Sequence, residues 1–171
     1  MNKKNLVFIL NPISGTVSKA GIPGLIEERL DKEKFDYRIA ETKYAGHATE
    51  LAREAAREGT DIVVAVGGDG TVNEVGRALA STETAMGILP CGSGNGLARP
   101  LNLPMNLKKC IDILNACEVH TLDYGIINGH PFFCTCGVGF DAFISLKFAE
   151  ANTRGLKTYL EKTLTDGLSY K

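Results

Sequence analysis

Apolar positions along the chain follow two alternating patterns. Unbroken runs at 6–10 (LVFIL), 62–66 (IVVAV) and 85–89 (AMGIL) have the length of buried strands, and the β-branched IVVAV suits a central parallel strand. FDYRIAE at 35–41 alternates as a half-buried strand does. Between the strands, apolar residues recur with helical spacing. Ile22, Leu25, Ile26 and Leu30 share one face; Ala48, Leu51, Ala52, Ala55 and Ala56 share another, with Gly59 as a stop signal. Val72, Val75 and Leu79 mark a third helix, and Leu107, Cys110, Ile111 and Leu114 a fourth. This alternation predicts an α/β fold built on an open, mostly parallel sheet, with ligands at the carboxyl ends of its strands.

After about residue 120 the rhythm changes. DYGIINGHPFFCTCGVG holds two β-rich runs around Asn128-Gly129, a hairpin signal. A helical stripe follows at Leu156, Tyr159, Leu160, Thr163, Leu164 and Leu168. A hairpin and a helix do not make a domain alone. The expectation is therefore a first domain over 1–123 and the beginning of an incomplete second domain over 124–171, whose apolar stripe and strand edges favour a homo-oligomer.

Bulk composition narrows the function classes. The 171 residues carry 19 basic and 20 acidic side chains, a net charge of −1, which leaves no polyanion footprint and makes nucleic acid an unfavoured partner. The apolar run at 6–10 is too short for a signal peptide or a membrane span. The five cysteines include no C-x-x-C pair and read as reduced, mostly core thiols of a cytoplasmic protein. The three histidines are scattered, so no metal-ligand set is expected.

The chemistry concentrates in DIVVAVGGDGTVNE, 61–74. Gly67, Gly68 and Gly70 would let backbone approach a ligand and would permit positive φ. Thr71 with Glu74 reads as a capping box opening a helix, and a helix N-terminus behind glycines accepts anions. A carboxylate in such a cradle would repel phosphate unless it holds a metal or takes a proton from an attacking hydroxyl, so Asp69 suggests phosphoryl transfer. Neither G-x-x-x-x-G-K-[ST] nor G-x-G-x-x-G fits this loop. NPISG (11–15) and LPCGSGNG (89–96) follow two other strands and would lie at the same edge.

Together NPISG, GGDGTVNE and LPCGSGNGLAR resemble the diacylglycerol kinase catalytic-domain family, which includes bacterial lipid kinases, sphingosine kinases and ceramide kinase. GGDG alone also occurs in NAD kinases and phosphofructokinases; the three motifs in order are more specific. The resemblance implies an NAD kinase-like nucleotide-binding domain, a lipid kinase activity, ATP and Mg2+ as cofactors, and peripheral contact with a membrane lipid from the cytoplasm. By position, Asn11, Pro12, Ser14, Gly15 and Thr42 would line the nucleotide. Gly67, Gly68, Asp69, Gly70, Thr71 and Asn73 would wrap its phosphates, with Ser93 and Asn95 on the facing loop. Asp69 matches the proposed general base.

GVGFDA at 137–142 resembles the stretch that opens the family's β-rich lipid-binding domain, making Asp141 a candidate head-group contact or else a helix N-cap. In the family that domain extends beyond the equivalent of residue 171 and carries further catalytic and metal residues, so this chain alone is expected to be inactive. Gly96 stands where the diacylglycerol branch usually has an acidic residue, which leans toward a sphingoid or ceramide-like acceptor. A kinase of a soluble acceptor, as NAD kinase is, and a non-catalytic nucleotide-binding module remain alternatives. His47 reads as a helix-start residue, and the loop 101–105 as packing on the sheet rather than touching lipid.

Overall fold

A computed structural model describes residues 3–13, 19–150 and 165. Four parallel strands, β1 (Lys4–Leu10), β2 (Phe35–Glu41), β3 (Ile62–Gly67) and β4 (Ala85–Pro90), form one sheet in the order β2-β1-β3-β4. The helices α1 (Ile22–Arg29), α2 (His47–Arg57), α3 (Asp69–Leu79) and α4 (Leu107–Ala116) connect and cover them. Leu6, Phe8, Leu10, Val64 and Val66 pack with Ile22 and Ile26 of α1 and Cys110 and Ile111 of α4. Val7, Ile9, Val63 and Ala65 point the other way, onto Ala48, Ala52 and Ala55 of α2 and Val75 and Leu79 of α3. Every residue of β3 is buried, which is why IVVAV is apolar at successive positions rather than alternate ones. Each such large aliphatic side chain contributes about 1.5–3 kcal/mol relative to exposure.

The element ends follow local chemistry. Gly59, just past α2, sits at φ +77°, the left-handed conformation that glycine adopts without strain. Asn106 caps α4, its side chain accepting from the N–H of Lys108 at 3.0 Å and of Lys109 at 3.3 Å. α3 departs from the sequence expectation. It begins at Asp69, with Gly68 at the cap position and no side-chain capping bond, so Thr71 lies inside the first turn and no capping box forms. Leu101 and Leu103 pack against the α2–α3 core, as expected for that loop.

The hairpin consists of β5 (Gly125–Ile127) and β6 (His130–Phe132), paired antiparallel. Asn128 (φ +50°) and Gly129 (φ +79°) both take positive φ, the two-residue turn that matches strand twist. The hairpin docks on α3. Arg77 Nε donates to the Pro131 carbonyl at 2.9 Å, and the Phe133 ring lies so close to Gly76 that a Cβ there would sit 2.8 Å from it.

The chain divides into two compact units, Met1–Phe133 and Cys134–Lys171. In the second, α5 (Phe140–Glu150) places Asp141 in its first turn, inside the helix rather than at its cap. The helix expected around 155–169 lies outside the described residues, apart from Thr165, which is helical. None of the five cysteines is in a disulfide; Cys110 is buried, Cys91 and Cys117 are half-buried, and Cys134 and Cys136 are exposed. Cys110 lies in the core with Cys91 and Cys117 packed against it, so three of the five are core thiols. No helix among the described residues is long and apolar enough to cross a membrane.

Candidate active site

The strand order creates the site. α1 leaves β1 toward one face of the sheet and α3 leaves β3 toward the other, so the neighbouring carboxyl ends of β1 and β3 flank a crevice at the switch point. Asn11 ends β1 and spans that crevice: its N–H donates to the Val66 carbonyl at 3.1 Å, and its Nδ2 donates to Thr71 Oγ1 at 3.2 Å. Its Oδ1 accepts from the N–H of Ile13 at 3.2 Å, which turns the chain sharply after the strand. Thr71 is 3% exposed, so its hydroxyl is committed to this link.

The glycines are required for space rather than for positive φ, since none of Gly67, Gly68 and Gly70 has it. A Cβ on Gly67 would overlap the Thr71 side chain, meeting its Cβ at 2.6 Å. Gly68 faces the loop after β4, where Gly92 approaches so closely that a Cβ on Gly92 would lie 2.6 Å from the Gly68 Cα. Gly70 differs. A Cβ there meets nothing within 4 Å, so the first turn of α3 opens onto unfilled space.

Asp69 is exposed at the first position of α3, and its carboxylate is held by the loop after β4. Asn95 N–H donates to Oδ2 at 3.0 Å and Gly96 N–H donates to Oδ1 at 2.5 Å. A carboxylate offers about four lone-pair positions, so roughly two remain for another donor such as a hydroxyl. The β4 loop is itself rigid. Asn95, 8% exposed and at φ +54°, accepts the Gly92 N–H at 2.9 Å with Oδ1 and returns Nδ2 to the Gly92 carbonyl at 2.8 Å. Arg99 Nε donates to the Gly94 carbonyl at 2.7 Å, and Cys91 N–H to the Gly67 carbonyl at 2.8 Å.

Sequence reasoning missed the part played by Glu74. Instead of capping its own helix, it reaches the start of α2, accepting from Gly46 N–H at 3.0 Å and Ala48 N–H at 3.2 Å. Thr49 Oγ1 adds a bond to the Glu74 carbonyl at 3.1 Å. The turn that follows Thr42 is thereby tied to α3. His47 begins α2 and accepts the Lys43 N–H at Nδ1, 3.1 Å away, with Tyr44 stacked on its ring.

Of the residues anticipated from sequence, Asn11, Gly67, Gly68, Asp69, Thr71 and Asn95 are linked directly. Thr42 joins them through its N–H to the Leu10 carbonyl at 2.9 Å. Gly70 and Asn73 lie on the first turn and a half of α3; Pro12 and Ser93 are exposed on the two flanking loops. Ser14 and Gly15 fall outside the described residues, and Asp141 belongs to the other unit. Among the described residues no three His, Cys, Asp or Glu side chains converge as a metal site. A cavity of about 460 Å³ lined by Arg53, Arg57, Asp61 and Glu83 opens at the amino ends of β3 and β4, at the opposite edge of the sheet.

Residues 5–127 match the profile of the diacylglycerol kinase catalytic domain. The chain belongs to that family. A diacylglycerol kinase of Bacillus subtilis is 32% identical over 139 residues, covering 80% of this chain and 46% of its own. One from Staphylococcus saprophyticus is 32% identical over 133 residues, covering 76% and 43%. The crystal structure of a diacylglycerol kinase from Bacillus anthracis superposes with a TM-score of 0.64 at 28% identity, covering 76% of this chain and 48% of that one. The chain thus spans about half the length of the curated relatives it matches. The family assigns the chain to the kinases.

Proposed function

We propose that the protein is an ATP-dependent lipid kinase that transfers the γ-phosphoryl group to a hydroxyl of a membrane lipid, with the crevice between β1 and β3 as the nucleotide site. The observation that carries this reading is Asp69, an exposed carboxylate fixed by Asn95 and Gly96 N–H groups beside an unfilled helix N-terminus. The space above Gly70 and the free first-turn N–H groups of α3 suit a polyphosphate, and the helix dipole favours its charge. ATP supplies the phosphoryl group, and Mg2+, which keeps much of its water, would arrive with the phosphates rather than in an all-protein cage. Asn11, Thr42, Thr71 and Asn73 frame the nucleotide; Asn95 and Ser93 bound the opposite side. Asp69, with lone pairs remaining, accepts the proton of the lipid hydroxyl as that oxygen attacks.

The named relatives favour diacylglycerol as the acceptor. Gly96 serves Asp69 through its backbone N–H, a contact any residue except proline provides, so its side chain is a weak guide to lipid class. On this reading the protein works at the cytoplasmic face of a membrane as a peripheral enzyme, and Asp141 contacts the lipid head group. The 171-residue chain alone is expected to be inactive, so incubation of a version with a complete second domain, with γ-labelled ATP, Mg2+ and mixed micelles of either diacylglycerol or sphingosine, tests the proposal. Labelled phosphatidate is the expected product. Labelling of NAD with no lipid product would replace this reading with a soluble-acceptor kinase.

A further inference from the structure

The loop after β1 contributes a cation that neither the motifs nor the mechanism above uses. Lys19 is only 5% exposed, and among the described residues its Nζ has no hydrogen-bond partner. A buried ammonium normally carries a carboxylate or several carbonyls; leaving it bare is costly, and such groups are retained where something else supplies the anion. Lys19 stands three residues before α1, with its carbonyl accepting the Ile22 N–H at 2.9 Å. Its charge acts on the thiol of Cys91, the first residue of the β4 loop.

The chain before α1 lies at the carboxyl edge of the sheet, the edge that carries the crevice. β3 lies between β1 and β4 in the sheet, and Cys91 is hydrogen-bonded to Gly67 at the end of β3. Lys19 and Cys91 therefore belong to the same edge of the sheet as the glycine turn. Cys91 cannot neutralise it: burial pushes the thiol above its usual range, so it stays protonated. Burial also lowers the Lys19 pKa, as expected of an ammonium waiting for a counter-charge.

We propose that Lys19 is a phosphate-binding residue, its buried and unpartnered ammonium meeting the terminal phosphates of a nucleoside triphosphate held at this edge of the sheet. This rests on the nucleotide reading of the crevice and adds to it a point charge on a buried stem. Two features then divide the work. The α3 N-terminus offers directed N–H groups, while Lys19 offers full charge without a fixed geometry.

The test is ATP and tripolyphosphate titration of the full chain, wild type against Lys19→Met, with thermal unfolding of both in the absence of ligand. Lys19→Met keeps the length of the stem and removes the unpaired charge. The unliganded variant should melt at the same temperature or higher, while affinity for ATP and for tripolyphosphate falls about 10- to 100-fold, the loss of a charged hydrogen bond. Lys19→Gln serves as the second variant and should lose the same affinity. Wild-type ATP binding with unchanged affinity in Lys19→Met would overturn the assignment of Lys19 and leave the nucleotide site standing. Folded wild type with no affinity for ATP would overturn both. Unfolding of both variants would make Lys19 a structural residue and overturn the proposal.

Discussion

Asp69 at the start of α3 and Asn95 on the loop after β4 meet beside the crevice, the Asn95 N–H donating to Asp69 Oδ2 at 3.0 Å while Gly96 N–H holds the other oxygen. The carboxylate is thus both a candidate proton acceptor and a latch that closes the β4 loop over the glycine turn. An amide can serve neither part fully, because its NH2 group would face a backbone donor. In a version with a complete second domain, Asp69→Asn is expected to lose phosphoryl transfer, with ATP affinity unchanged or tighter because a negative charge beside the phosphates is gone. Rates with labelled ATP and calorimetric titration check it together. Retention of most of kcat would rule out the base.

The glycines separate by what surrounds them. Gly92→Ala forces a methyl against the Gly68 backbone at 2.6 Å and the Asn95 side chain at 2.9 Å, and overpacking of this kind costs about 1–3 kcal/mol. Gly70→Ala meets nothing and replaces a helical glycine, a gain of about 1 kcal/mol in helix propensity. Thermal unfolding should therefore show opposite shifts for the two. Gly70→Ala should also weaken ATP binding, since its methyl enters the space above the first turn; equal affinity would place the phosphates elsewhere.

Glu74 fixes α2 to α3 through the N–H groups of Gly46 and Ala48. Glu74→Ala leaves these two donors without their acceptor, at about 1–3 kcal/mol. For a chain of this size that is a fall of about 2–4 °C in Tm per kcal/mol. Glu74→Gln keeps one acceptor oxygen and should recover part of the loss. A loss of nucleotide affinity larger than the loss of stability would show that the turn after Thr42 depends on this bond.

The hairpin carries Ile126 at 64% and Ile127 at 40% exposure on a two-stranded sheet. Exposed apolar strand residues beside unpaired edges favour association. We expect the purified protein to self-associate, and Ile126→Lys to shift it toward monomer in sedimentation velocity without lowering its Tm. A monodisperse wild type at high concentration would refute this.

Much of the fold was legible because its signals are local. FDYRIAE alternates over the residues that form β2, and IVVAV is apolar throughout because helices cover both faces of β3. Asn128-Gly129 specifies its turn through two backbone angles alone. The site was legible only as a set of loops. The Thr71/Glu74 pattern suggested a cap, but the helix starts three residues earlier and Glu74 pairs with a turn 28 residues away in sequence. Residue identity does not encode such a partner. The same holds for Asp69 and Asn95, 26 residues apart, and for Lys19, whose significance depends on burial that spacing does not reveal.

Gly68 and Gly92 meet main chain to main chain, with no side chain between the turn after β3 and the loop after β4. The floor of the crevice is therefore made of backbone, already pinned by the Cys91–Gly67 and Asn95–Gly92 hydrogen bonds. Immobilising a rotamer-rich side chain on binding costs about 0.5–1.5 kcal/mol, and here there is almost none to immobilise. A ligand arriving at this floor finds its contour set beforehand, so affinity reflects the contacts themselves rather than what remains after ordering the walls.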